Sequence, residues 1–139
     1  MKTNYERKRN LDGRYGGGTY VKAATVYLAL FTTLPTALTG GTEVSYTGYA
    51  RVAKTNNATN FPDTDNTGQK TNGTAIVFPE RAAGGSTPEI VGFGWFDAAV
   101  GGNLQDFAAI QLGPGETSKP IGVGDTPNWG VGQLVWQET

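Results

Sequence analysis

Glycine and proline interrupt this chain so often that long helices are excluded from most of it. The 139 residues include 21 glycines and 7 prolines, spread over the whole length, and both residue types divide a chain into short segments. The segments between them are β-like runs of roughly five to nine residues, and short strands that recur between Gly/Pro turns are typical of a sandwich or a barrel. We therefore predict an all-β, single-domain β-sandwich, either jelly-roll-like or a partly open barrel.

The segment TVYLALF, residues 25–31, is apolar on both faces of a predicted strand. Val26, Leu28 and Leu30 lie on one face. Tyr27, Ala29 and Phe31 lie on the other. A strand that is buried on both faces belongs in the middle of a sheet or at a contact between subunits. Further strands are predicted at residues 48–54, 74–78, 104–112, 119–123 and 133–138.

The segment EIVGFGWF, residues 89–96, combines large aromatic side chains with glycines. Its side chains divide between two faces, with Val91, Phe93 and Trp95 on one and Ile90, Gly92, Gly94 and Phe96 on the other. A glycine in a strand lets another backbone, or a large ring from a neighbouring strand, lie flat against it. The segment therefore predicts a tight packing seam and not a catalytic cleft.

Two segments lack the pattern of strands. Residues 1–20 are polar, basic and glycine-rich, and they predict an extended N-terminal arm in front of a sandwich domain at residues 21–139. Residues 56–73 are rich in Asn, Thr, Gly and Asp, and they predict a long loop that Phe61 anchors to the domain. Loops of this length are uncommon inside a compact domain and usually serve binding or interaction.

Positive charge is concentrated at the N-terminus. Residues 1–14 carry five basic residues against Glu6 and Asp12, a net charge of +3, whereas the rest of the chain carries −4, for a total of −1. A basic end on an acidic body is expected to contact an acidic surface. The predicted contact residues are Lys2, Arg7, Lys8, Arg9 and Arg14.

The absence of cysteine and histidine removes much catalytic chemistry. It excludes disulfides, zinc sites built on these residues, and Ser–His or Cys–His catalytic pairs. The carboxylates are scattered over strand ends and turns, and nothing in the sequence marks the facing pair that glycoside hydrolysis needs. The most apolar run, residues 23–38, is too short to span a membrane. We predict that the protein is not an enzyme, holds no cofactor or metal, and binds neither nucleic acid nor membrane.

Two features of the loops suggest surface recognition. DTDNTG, residues 63–68, begins like a calcium loop with Asp63 and Asp65, but threonines stand where further ligands are required, so a hydrogen-bonded turn is expected instead. Trp129 lies in the turn-rich segment PNWGVG and is the best candidate for an exposed ring that stacks on a sugar. The alternative, which we favour, places Trp129 in the core or in an interface.

Several short runs occur in a characteristic order along the chain. They are LALFTTLP (28–35), GGTEV (40–44), GYAR (48–51), IVFP (76–79), GFGWFDAA (92–99), GGNL (101–104) and VGDTP (123–127). In this order they resemble a family of small bacteriophage virion proteins, labelled tail fibre or head decoration proteins. The resemblance covers residues 27–134 and is most specific at FDA (96–98) with GGNL. It implies a β-sandwich that is a structural part of a phage particle and catalyses no reaction.

Two functions are compatible with this resemblance. We predict a capsid decoration or cement protein, made in the host cytoplasm, which binds the major capsid protein on the shell exterior and self-associates as a dimer or trimer. An extended arm of the first fourteen residues would reach about 45 Å, at roughly 3.3 Å per residue, onto a neighbouring subunit. The alternative is a tail fibre or tail-tip protein that binds a host surface sugar through loop 56–73 and Trp129.

Overall fold

A central antiparallel sheet organises the fold. The computed structural model describes residues 1–38, 40–63 and 67–138. Within these residues the chain forms one helix and eleven strands: α1 (Asn4–Arg14), β1 (Thr25–Thr33), β2 (Thr42–Glu43), β3 (Val52–Thr55), β4 (Gln69–Thr71), β5 (Ile76–Val77), β6 (Glu89–Ile90), β7 (Gly92–Phe96), β8 (Leu104–Ala109), β9 (Lys119–Pro120), β10 (Asn128–Trp129) and β11 (Val135–Gln137).

The long strand β1 lies in the middle of the sheet. The strand order is β2-β1-β7-β8, and β3 pairs with the first half of β1. All of these pairings are antiparallel. The prediction of a central strand at residues 25–31 is therefore confirmed, as is the all-β class, and the described strands do not close into a barrel.

The main hydrophobic core covers one face of this sheet. Leu28 and Leu30 of β1 and Phe93 and Trp95 of β7 supply its floor. Three two-stranded ladders, β5–β10, β4–β11 and β6–β9, contribute strands around it. The large buried side chains that come from outside the central sheet are Ile76, Phe78, Ile90, Ile121, Trp129, Leu134 and Trp136.

The glycine face of β7 forms the predicted packing seam. Phe31 stacks on Phe96 with 6.2 Å between ring centroids. A Cβ added to Gly94 would lie 2.9 Å from Cε2 of Phe31 and 2.7 Å from Cδ1 of Leu104. The absence of a side chain at Gly94 thus lets the ring of Phe31 lie against the strand, in a second core cluster on the opposite face of the sheet.

Substituting Gly94 with alanine should overpack this seam. We expect a loss of about 1–2 kcal/mol in the free energy of unfolding, because the new methyl group forces Phe31 or Leu104 from its place. Chemical denaturation measures the change. Gly17→Ala is the matched control, since nothing lies within 4 Å of its added Cβ. Equal stability of both variants would contradict the close packing of Phe31 and Leu104 against Gly94.

The alternation of residues 89–96 breaks at Val91. Its N–H donates to the carbonyl of Phe31 at 2.9 Å, and its carbonyl accepts from Ile110 at 3.1 Å. Ile90 belongs to the short strand β6, which pairs with β9 and not with the central sheet. Ile90 consequently packs in the main core with Phe93 and Trp95, and its predicted place on the glycine face is wrong.

The prediction of an extended N-terminal arm is wrong for residues 4–14, which form α1. Thr3 caps the helix by accepting a hydrogen bond from the backbone N–H of Glu6 at 3.3 Å. Residues 1–3 pair with β8, through an antiparallel bridge of Lys2 with Asp106. Because β8 is the edge of the sheet, this segment satisfies backbone groups that would otherwise be exposed. None of the described helices is long and apolar enough to cross a bilayer.

Thr3 joins the helix to the sheet, so its hydroxyl should matter for stability. The Oγ1 atom donates to the carbonyl of Leu104 at 2.6 Å while it caps α1. We expect Thr3→Ala to lower the free energy of unfolding by about 1–2 kcal/mol. Thr3→Ser keeps the hydroxyl and should retain most of the stability of the parent. Thermal unfolding of the two variants distinguishes these outcomes, and an equal loss in both would contradict the role of the hydroxyl.

Loop 56–73 is fastened to the domain at several points. Its end forms β4, which pairs with β11. The ring of Phe61 packs edge-on against Trp95 and Trp136, with centroid distances of 5.0 and 6.1 Å, which confirms its role as an anchor. The buried amide of Asn72 donates to the carbonyls of Thr74 and Gly130, both at 2.9 Å.

Candidate functional site

Four of the runs that carry the family resemblance meet at one place. Glu43 of GGTEV, Tyr49 and Arg51 of GYAR, Asp97 of FDA and Asn103 of GGNL gather beneath the turn between β7 and β8. We call these five residues the hairpin brace. They come from positions as far apart as 43 and 103, so only the folded chain brings them together.

Arg51 is the centre of the hairpin brace. Its Nε and Nη2 atoms donate to the two carboxylate oxygens of Glu43, at 2.9 and 2.7 Å. Its Nη1 atom donates to the carbonyls of Ala98 and Gly101, both at 2.8 Å. The guanidinium lies 3.6 Å from the centroid of the Phe96 ring. Arg51 thereby fixes the turn to the sheet.

The other members of the hairpin brace also have protein partners. Asp97 accepts from the backbone and side-chain N–H groups of Asn103, at 2.7 and 3.0 Å. Partial burial raises the pKa of Glu43, but hydrogen bonds from Arg51 and Tyr49 and the charge of Arg51 outweigh it and lower the pKa overall. Such a satisfied network stabilises a loop and offers little to a ligand.

Arg81 holds a second set of loops in the same manner. The buried guanidinium donates to the carbonyl of Ile121 at 2.8 Å and to those of Gly84 and Gly85 at 3.0 Å. Its backbone N–H donates to the carbonyl of Asp125, in VGDTP, at 2.9 Å. This arginine is therefore a structural residue too.

A cleft beside the N-terminal segment has a different character. One cavity, of about 260 Å³, is lined by Glu6, Tyr20, Val26, Asn56, Phe61, Lys70, Trp95, Gln105, Asp106 and Trp136. A neighbouring cavity, of about 310 Å³, shares Lys70, Asp106 and Trp136 and extends to Lys2 and Glu138. We call the two together the N-terminal cleft. Its size and its mixture of rings and polar groups are those of a small-ligand site.

Aromatic rings form one wall of the N-terminal cleft. Trp95 and Trp136 are tilted against each other with 5.5 Å between centroids, and Phe61 packs edge-on against both. The indole N–H of Trp95 is buried and has no hydrogen-bond partner among the described residues. A buried donor without a partner is uncommon in a folded protein and requires an explanation.

Gln105, Asp106 and Lys70 also contribute polar side chains to the cleft. Among the described residues none donates a hydrogen bond to the carboxylate of Asp106, and none pairs with the side chains of Gln105 or Lys70. Gln105 is nevertheless only 8% exposed. It is the additional residue of a β-bulge, since Trp95 lies opposite Asp106 and Phe96 lies opposite Leu104. Bulges commonly redirect side chains next to functional sites.

Burial raises the pKa of Asp106 from 3.8 to about 6. The charges of Glu6 and Glu138 act in the same direction, whereas the N-terminal amino group and Lys2 act against it. The carboxylate therefore lies in the cleft at an energetic cost, because no described residue donates a hydrogen bond that offsets its loss of water.

The N-terminal segment supplies the opposite wall. Glu6 accepts from the hydroxyl of Tyr20 at 2.6 Å and from Arg9 at 3.0 Å. Burial and the hydrogen bond to Glu6 raise the pKa of Tyr20 to about 12. The added Cβ of Gly13 would lie 2.6 Å from Cβ of Tyr20. The chain after α1 thus folds back closely over the helix and keeps this wall in position.

Three of the five basic residues predicted as contacts pair with acidic residues of the same chain. Lys2 pairs with Glu138, Lys8 with Asp12, and Arg9 with Glu6. Arg7 and Arg14 are exposed on α1. Their predicted contact with an acidic capsid surface stays a prediction.

Three of the four predicted recognition residues in the loops are described by the structure. Phe61 lies in the N-terminal cleft, Asp63 is exposed, and Asp65 lies outside the described residues. Trp129 is only 7% exposed, and it packs edge-on against Phe78 in the main core. It is not an exposed sugar-stacking ring; the favoured alternative of a core tryptophan is confirmed.

Sequence reasoning missed Asp106, Gln105 and Lys70 as site residues. A signal was present for the first two, because a polar pair in the middle of the apolar run LQDFAAIQL places at least one polar side chain on a buried face. Lys70 had no signal, since it lies in a polar loop. The bulge that brings Gln105 and Asp106 together is a property of the folded sheet.

Comparison with known families agrees with the arrangement of the motifs. The model of the Gp80 family, described as podophage GP4 fiber I protein gp80, matches residues 1–137. The chain belongs to this family. The resemblance to a small phage virion protein family is therefore confirmed, and the match includes the N-terminal segment and loop 56–73.

The Gp80 family is described by a part of the phage particle and not by a reaction. Among the runs that suggested the family, GGTEV, GYAR, FDA and GGNL supply the hairpin brace, VGDTP contributes to the Arg81 loops, and LALFTTLP forms part of β1, so they maintain the fold. Apart from Glu138, the residues that line the N-terminal cleft lie within the matched region as well. Among curated proteins, none matches the chain.

Proposed function

We propose that this chain is a non-catalytic subunit of a phage fibre, carried on the virion, and that it acts by binding. The observation that carries the proposal is the family match over residues 1–137, whose description names a fibre protein. The fold adds a physical argument, because the motif residues stabilise loops and do not assemble reacting groups.

The N-terminal segment favours a fibre over a capsid cement. The cement hypothesis relied on an extended arm that leaves its own domain. Instead, Met1 donates from its amino group to the carbonyl of Phe107 at 2.7 Å, and its carbonyl accepts from the N–H of Phe107 at 2.9 Å. A segment that is paired with β8 in this way is not the extended arm on which that hypothesis relied. Cement binding would have to use Arg7, Arg14 or another surface.

Self-association as a dimer or trimer is part of this proposal. The two most exposed large apolar side chains of the described residues lie in loops: Val100, in the β7–β8 turn, is 89% exposed, and Leu38, after β1, is 84% exposed. Exposed apolar side chains at loop tips are suited to contacts between subunits. Light scattering after size exclusion measures the mass, and a strict monomer at high concentration would remove this part of the proposal.

Copy number distinguishes the two virion locations. A fibre subunit should be present in purified particles at a small fraction of the abundance of the major capsid protein. A cement protein covers the shell, so its abundance should approach that of the major capsid protein. Quantitative mass spectrometry of whole virions measures this ratio. Near-equal abundance would overturn the fibre proposal and restore the cement hypothesis.

A further inference from the structure

We infer that the N-terminal cleft is a saccharide-binding site, with Asp106, Gln105 and Lys70 as the hydrogen-bonding groups and Trp136, Phe61 and Tyr20 as the rings around them. This inference rests on the proposed function in one respect: a fibre that binds a host surface meets polysaccharide there.

The polar groups of the N-terminal cleft differ from those of the hairpin brace in their hydrogen bonding. In most folded proteins a buried polar side chain has a partner, and the hairpin brace follows this rule. The N-terminal cleft departs from this rule at the indole N–H of Trp95, which is buried without a partner among the described residues. The polar atoms of Asp106 and Gln105 have no partner among the described residues either, but they are open to the cleft, where a ligand with matching hydroxyl groups could bind them.

The unpaired groups of the cleft differ in their chemistry. A carboxylate accepts hydrogen bonds from two hydroxyl groups at once, an amide both donates and accepts, and an ammonium donates. Asp106, Gln105 and Lys70 together present this set in the lining of a cavity of about 260 Å³. Neighbouring hydroxyl groups on a sugar ring offer both donors and acceptors, and the apolar edge of the ring can lie against an aromatic side chain.

Charged ligands fit the cleft less well. An anion would meet the carboxylates of Asp106, Glu6 and Glu138, and a metal cation would meet Lys70 and Lys2. Among the described residues no three carboxylates lie close enough together to hold a metal. The hydroxyl groups of an uncharged ligand can donate to the carboxylates and accept from the ammonium groups. A neutral sugar is therefore the ligand class that the cleft favours.

Nuclear magnetic resonance tests the site directly. The ¹⁵N-labelled protein is titrated with glucose, galactose, mannose, rhamnose and N-acetylglucosamine, and the indole N–H signals of Trp95 and Trp136 and the side-chain amide of Gln105 are followed. We expect at least one sugar to cause saturable shifts at these three groups. No saturable shift with any of the five, or shifts confined to other residues, would overturn the inference.

Two variants separate binding from folding. Asp106→Asn and Gln105→Ala should each weaken the binding of that sugar by about tenfold, while the backbone amide spectrum stays that of the native fold. Glu80→Gln, an exposed carboxylate outside the cleft, is the matched control and should bind as the parent does. Unchanged affinity in both cleft variants would also overturn the inference.

The outcome is independent of the location of the protein on the particle. A protein that binds the sugar in the cleft but occurs at cement abundance retains this site and loses the fibre function. A protein of fibre abundance without sugar binding retains the fibre function and loses this site.

Discussion

Replacing Arg51 with alanine should destabilise the protein by about 3–5 kcal/mol, the cost of breaking a largely buried ion pair from one side. The side chain of Arg51 is only 8% exposed. Its removal would leave the partly buried carboxylate of Glu43 without its guanidinium, and the carbonyls of Ala98 and Gly101 without their donor. The turn between β7 and β8 would lose its attachment to the sheet.

Denaturant unfolding measures this loss, and two controls interpret it. Arg51→Lys keeps the charge but cannot reproduce the fork of donors, so it should fall between the parent and the alanine variant. Lys22→Ala removes an exposed positive charge elsewhere and should change stability by less than about 0.5 kcal/mol. A loss in Arg51→Ala no greater than in the Lys22 variant would show that the hairpin brace is not structural.

Replacing Asp106 with asparagine should have the opposite effect and stabilise the protein at neutral pH. The folded state raises the pKa of Asp106 from 3.8 to about 6. Between these values the folded protein holds a proton that the unfolded chain has released, so stability falls as pH rises through this window and then stays level. The difference corresponds to about 3 kcal/mol, and asparagine, which is never charged, avoids most of it.

Thermal unfolding between pH 4 and 8 tests this expectation. Compared with the parent, Asp106→Asn should be more stable by about 2–3 kcal/mol at pH 7.5 and about equally stable at pH 4. Glu80→Gln is the control, and its stability should follow that of the parent at both pH values. A gain in stability joined to a loss of sugar binding is the usual signature of a functional residue kept at the expense of stability. A destabilised Asp106→Asn would mean that the carboxylate has a structural partner after all.

The long strands were predictable because both of their faces are buried. In β1 every residue from Val26 to Phe31 is apolar, and such a run has no place except the centre of a sheet. The seam at Gly94 was predictable for a related reason, since a glycine between large rings in a strand indicates close approach. Each of these features depends on the residues of one segment alone, so it can be predicted from the local sequence.

The N-terminal helix and the cleft were not predictable in the same way. The segment of α1 contains only Tyr5 and Leu11 as large apolar residues and includes Gly13, so it has no apolar stripe. Its one local signal is the capping pattern of Thr3 and Glu6, and its position depends on the edge of β8. The cleft combines residues from α1, loop 56–73, β8 and β11, and only the folded sheet brings them together.

The location of the protein on the virion tests the central claim most directly. Gold-labelled antibody against this chain, applied to intact particles and viewed by electron microscopy, should mark the fibres and leave the capsid shell unlabelled. Labels spread over the faces of the shell, with none on the fibres, would contradict the account.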